Sequence, residues 1–221
     1  MGLIARGNDG GTFTPVPPGM HLARCYRVVD LGTQTSEYLG QVKSLPKIMI
    51  QFEVHSEDDN GKPLVTPKGE PMSISKNFTL SLKEMATLRK DLVSWRGREF
   101  TSQELDGFEL KNILGAWAYL SIAKATGMNG KEYTNIMSIN PVPPALKKNG
   151  LPNGHNQTAI FSLDEPDMEM FETFSDNLKA KIKTSPEWQR WEYESGESQS
   201  GADRQARKGS GFDDMSDDIP F

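Results

Sequence analysis

The chain has 221 residues, room for one domain with a real core plus appendages, and a modest hydrophobic fraction of 36 %. Its single cysteine, Cys25, rules out an internal disulfide and a cysteine-type metal site, and suits a reducing cytoplasm. Net charge is −5, but from Glu192 onward eight acids stand against three bases, so the residues before it balance at 22 of each and can still hold a basic groove.

Residues 1–18 are rich in Gly and Pro and end Pro15-Val16-Pro17-Pro18, which predicts a flexible arm. There is no signal-peptide pattern and no apolar stretch of membrane-spanning length. A first strand is predicted over Met20–Leu31, closing at Gly32, with a polar loop running on to Pro46. The clearest strand is Lys47–Val54, whose strict alternation puts Ile48, Ile50, Phe52 and Val54 on a core face. Asp59-Asn60-Gly61 and Pro67-Lys68-Gly69 mark turns, and a third strand runs from Met72 to Leu80.

A helix follows. Ser81 and Glu84 have capping-box spacing, and Leu82, Met85, Leu88, Leu92 and Trp95 recur at helical intervals before Gly97. Thr101 and Glu104 suggest a second short helix. Strand four is predicted over Gly115–Lys124, Met128-Asn129-Gly130 makes a hairpin turn, and strand five covers Tyr133–Ile139. Three strands, a helix and two strands form the element order of the five-stranded Greek-key OB-fold barrel. This makes 19–144 a mainly β domain.

Residues 145–192 read as a loop and a helical extension. Phe171, Phe174, Leu178 and Ile182 lie on one side, and Ser185-Pro186-Glu187 opens another helix carrying Trp188 and Trp191. These aromatics suit docking on the barrel or on a second subunit. Residues 193–221 have little to bury and are expected to be disordered, ending in an acidic tip.

Barrels of this element order commonly bind oligonucleotides, and holding a single strand needs aromatic faces for bases and cations along the backbone path. If Ala118, Leu120 and Ile122 face the core, Trp117 and Tyr119 stand on the outer face of strand four, ~7 Å apart. The competing reading packs both under the C-terminal helices. Arg24, Arg27, Lys47, Lys76, Lys124 and Lys131 are candidate cations, with solvated surface charge as the alternative for each. Tyr26 and Tyr133 are further stacking candidates. An enzyme is not expected, and no cofactor is called for. His21, His55 and His155 lack metal-ligand spacing, no phosphate loop occurs, and Glu57, Asp58 and Asp59 fit a wet hairpin tip.

The sequence closes on Asp213-Asp214-Met215-Ser216-Asp217-Asp218-Ile219-Pro220-Phe221. Four aspartates precede two large apolar side chains, with Pro220 limiting the backbone between them. This stretch resembles the tip of bacterial single-stranded DNA-binding proteins, which ends on aspartates and Ile-Pro-Phe. The body also resembles phage single-stranded DNA-binding proteins of the OB-fold. The resemblance is carried by Phe78-Thr79-Leu80-Ser81-Leu82, Leu88-Arg89-Lys90-Asp91-Leu92, Trp95-Arg96-Gly97-Arg98 and Leu114-Gly115. It implies coating of exposed strands without sequence preference, in phage replication and recombination in the host cytoplasm. It further implies that Asp213, Asp214, Asp217, Asp218, Ile219, Pro220 and Phe221 recruit host or phage replication and repair proteins. No membrane partner is implied, and an oligomer stays open. The alternative is an adaptor that uses the same tip and binds no DNA.

Overall fold

The computed structural model describes residues 14–38, 40–126, 130, 132–148 and 150–195. Its frame is a mainly β body in which one long strand serves several partners. That strand, β1 (Gly19–Tyr38), pairs antiparallel with β2 (Gln41–Val54) along nearly its whole length. β3 (Ser73–Thr79) lies beyond β2. On the other edge, β4 (Trp117–Thr126) pairs with Gly19–Arg24 and carries β5 (Glu132–Asn140). The order is β3-β2-β1-β4-β5, all neighbours antiparallel. Where β4 leaves β1, the short β6 (Ala159–Phe161) takes its place, running parallel to Arg27–Val29.

The predicted polar loop before Pro46 is instead strand. Residues 33–38 pair with 41–46 as a hairpin extending past the main sheet. The described side chains from 41 to 46 are exposed, so no alternation of apolar and polar residues marks this part of the hairpin.

Helix α1 (Thr87–Arg96) follows β3. It does not start at a Ser81–Glu84 capping box. Its N-cap is Ala86, without a side-chain cap, and the Ser81 hydroxyl accepts from the Lys83 N–H instead. Met85, expected on the core face, is 78 % exposed. The core face is Leu88, Leu92 and Trp95, and Gly97 closes the helix in a left-handed conformation. The capping box at Thr101 and Glu104 does form and opens α2 (Ser102–Asp106). A 3-10 turn at Leu110–Ile113 leads into β4. Three further helices are α3 (Pro144–Lys148), α4 (Met168–Glu172) and α5 (Asp176–Lys183). Residues 186–195 form α6, where the Ser185 hydroxyl accepts from the Trp188 N–H. Among the described residues no helix is long and apolar enough to cross a membrane.

Two apolar clusters lie on opposite faces of β1. Ala23, Cys25 and Val28 join Ile48, Ile50, Phe52, Leu120 and the α1 side chains in the first. Val16 also enters it, so the expected arm is anchored before it reaches β1. Val29, Leu31 and Met49 join Phe161, Phe171, Phe174, Ile182 and Trp188 in the second. The C-terminal helices therefore dock on the outer face of β1 and β2. Phe171 and Trp188 stack there with centroids 4.3 Å apart. Burial of the Cys25 thiol pushes its pKa up to about 12, so it is a packing residue, not a nucleophile.

Candidate nucleic-acid interface

A bulge in β1 sets the geometry of the outer face. The β1–β2 register shifts between Cys25 and Arg27, leaving Tyr26 as the extra residue. Strict alternation would place Arg24 and Arg27 on opposite faces. The bulge returns Arg27 to the outer side, next to Tyr26. Both residues line a cleft of about 530 Å³.

That cleft lies where β1, β2, β3, β5 and the C-terminal helices meet, and Gln51, Tyr133 and Phe174 also line it. The Arg27 guanidinium lies 5.4 Å from the Tyr26 ring centre and 5.5 Å from that of Phe174. It has no carboxylate partner among the described residues, and its Nε is buried without a hydrogen bond. Gln51 stands directly opposite Arg27 in the strand register, and its Oε1 is likewise buried and unpaired. Tyr26 is 7 % exposed; burial raises its pKa, with Arg27 opposing, so the phenol stays protonated. Tyr133 stands at the rim, 44 % exposed.

A second hollow lies further along β2. Its lining includes Met20, Leu22, His55, Tyr119, Leu146 and Pro152. Ala118, Leu120 and Ile122 are buried, which leaves Trp117 and Tyr119 on the outer side of β4, both partly exposed. The Trp117 ring meets His55 edge-on at 5.0 Å, and its backbone carbonyl accepts from Trp95 Nε1 at 2.8 Å. The C-terminal helices cover the outer face of β1 and β2, at Val29, Leu31 and Met49. Gln51 lies on β2 and His55 follows directly on its end, so the two hollows lie on successive stretches of the same chain segment.

Between them sits a buried ion-pair hub. Glu53 is fully buried and accepts from Arg24 Nη1 at 3.0 Å, from the His155 and Asn156 backbone N–H groups, and from Asn156 Nδ2. Burial alone would raise its pKa. The donated hydrogen bonds, led by the Asn156 N–H and Arg24, outweigh burial and hold it down at about 2. Arg24 also donates to the Asn156 carbonyl, and Gly154 packs so closely on it that a Cβ there would come within 2.0 Å of Nη1. Arg24 therefore pins the 153–156 loop to the sheet.

The other sequence candidates are dispersed. Lys47 Nζ donates to Thr79 Oγ1 at 2.7 Å. Lys76 pairs with Asp91 at 2.7 Å, which ties β3 to α1. Lys124 pairs with Glu132 at 3.3 Å on the surface. Lys131 and the tip from Asp213 to Phe221 lie outside the described residues. At the tip of the 57–62 turn, Asp58 accepts from the Asn60 and Lys62 N–H groups and so shapes the turn itself.

Of the residues lining the two hollows, the sequence reading singles out Arg27, Tyr26, Tyr133 and Tyr119 as binding candidates; it takes Phe174 as a docking residue of the extension and His55 only as a non-ligand, and does not single out Gln51. Gln51 reads as the ordinary polar half of an alternating strand, and Phe174 as one more apolar helix residue. The chain matches no protein-family model and no curated protein.

Proposed function

We propose that this protein is a single-stranded DNA-binding protein of the OB-fold class, which holds the strand at the openings left by the C-terminal helices and the 153–156 loop, the Tyr26–Arg27–Gln51 cleft and the Trp117–Tyr119 edge of β4. The observation that carries this is the uncommitted Arg27 guanidinium, held between the Tyr26 and Phe174 rings in an open cleft. Cations paired with stacking surfaces are what single strands require. Trp117 and Tyr119 supply a second stacking surface on the same face. The OB-fold reading rests on the β3-β2-β1-β4-β5 order, on α1 between β3 and β4, and on Lys76 Nζ, which reaches the Met137 carbonyl of β5 at 3.4 Å. The acidic Ile-Pro-Phe tip would recruit replication and repair enzymes, in keeping with the phage resemblance.

Titrating oligo-dT while recording tryptophan fluorescence tests the reading. Quenching at low salt, weakening steeply as salt rises, is expected, with far poorer binding to duplex. Absence of binding by the folded protein at low salt rejects it. One observation favours an adaptor instead: Arg24, Lys76 and Lys124 already have carboxylate partners. The same titration separates the two.

A further inference from the structure

We infer that the Arg27–Gln51 cleft is a pocket for one unstacked nucleobase, with the C-terminal extension as one of its walls. This rests on the single-strand reading above and assigns that face a site the platform on β4 does not require. A cleft of about 530 Å³ lies within the range of sites for small organic ligands, so it has room for a base with its sugar. Tyr133 on β5 offers the one ring of the cleft that is well exposed, while Tyr26 from the sheet and Phe174 from the extension, 7 % and 6 % exposed, hold Arg27 between them. Its floor is a cross-strand pair, Arg27 opposite Gln51, in which each side chain keeps a buried polar atom with no partner. Buried unpaired groups are costly, and a ligand that completes them recovers the loss.

The chemistry favours a base over a phosphate. The exposed Tyr133 ring suits a flat, uncharged heterocycle. Every base carries hydrogen-bond donors and acceptors on its exposed edges. The Gln51 amide can present either its oxygen or its nitrogen, and Arg27 adds donors. Turning the amide about its terminal bond is soft, so the buried oxygen can be brought to the base. This pair can therefore serve any of the four bases and keeps binding independent of sequence. Phe174 is fixed in place by the second apolar cluster, where it meets Phe161 at 5.1 Å and Phe171 at 6.0 Å. The extension thus holds one side of the pocket rigid.

The test uses the full chain and oligo-dT carrying a single 5-iododeoxyuridine, which crosslinks under near-ultraviolet light to aromatic rings it stacks on. Mass spectrometry should place crosslinks on Tyr133, the exposed ring of the cleft. Gln51→Leu should weaken binding about fivefold, the scale of one hydrogen bond, with the salt slope unchanged because no phosphate contact is lost. Tyr133→Ser, at an exposed rim position that cannot unfold the core, should weaken it similarly. If the wild-type chain binds strands but crosslinks only at Trp117 and Tyr119, and both variants bind normally, the pocket is overturned and the function stands. If the wild-type chain binds no strand, both fall together.

Discussion

At the residue scale, Glu53 has the sharpest measurable signature. Its carboxyl is held at about 2 in the folded protein, below its ordinary value of 4.5. As pH falls, the unfolded chain takes up this proton first. The stabilisation is therefore complete above about pH 5 and lost by about pH 2, on the order of 2–3 kcal/mol. Glu53→Gln should cost about 3 kcal/mol at neutral pH, because it leaves the largely covered Arg24 guanidinium beside a neutral amide. In urea denaturation the gap between the two proteins should close as pH falls through that window. A gap that stays constant contradicts the ion-pair account. Gly32 offers a steric counterpart. Its φ is +65°, and a Cβ there would lie 2.4 Å from the Ser185 Cβ, so Gly32→Ala should lower stability by about 3 kcal/mol in thermal melts. On the platform, Trp117→Ala or Tyr119→Ala should weaken oligo-dT binding by roughly 1–3 kcal/mol. Both side chains lie outside the two clusters, so the melting temperature should barely move.

At the scale of elements, α4–α6 behave as a second half of the core. Trp188 is 2 % exposed and stacks on Phe171, so Trp188→Ala should cost about 3–5 kcal/mol in urea. An unchanged midpoint would mean that the extension does not stabilise the sheet. The elements also show what a sequence can reveal. The strand at Lys47–Val54 is legible because Ile48, Ile50, Phe52 and Val54 all enter one cluster while their neighbours face elsewhere. The far half of the β1–β2 hairpin is not legible, because its residues from 41 to 46 lie in water and carry no period. β6 is three residues long, too short to signal. The bulge at Tyr26 is hidden for a different reason. An extra residue is defined only against a partner strand, so the outward turn of Arg27 depends on where β2 registers. The order of the five main strands and the inward faces of Lys47–Val54 and of β4 could thus be read from the sequence; β6, the exposure of Met85 and the composition of the cleft could not.

At the scale of the whole molecule, charge is divided between a balanced body and an acidic end. Removing Asp213 to Phe221 takes away four carboxylates and no described core residue. Thermal stability should be unchanged. Strand binding at low salt should hold or rise, since the aspartates compete with phosphates for the same cations. Pull-downs with full-length and truncated protein should differ in the replication and repair enzymes recovered, and Phe221→Ala alone should lose most of that capture. Equal capture by both would reduce the tip to a solubility device. The placement of β6 has a further consequence during synthesis. All five strands of the main sheet are available once residue 140 has left the ribosome, yet Val29, Leu31 and Met49 gain their cover only from residues 161–188. At about 5–20 residues per second, the nascent chain carries a bare apolar face for a few seconds. A chaperone that scans emerging polypeptides would find its binding window there, and a released fragment ending near residue 145 should be the species that it holds.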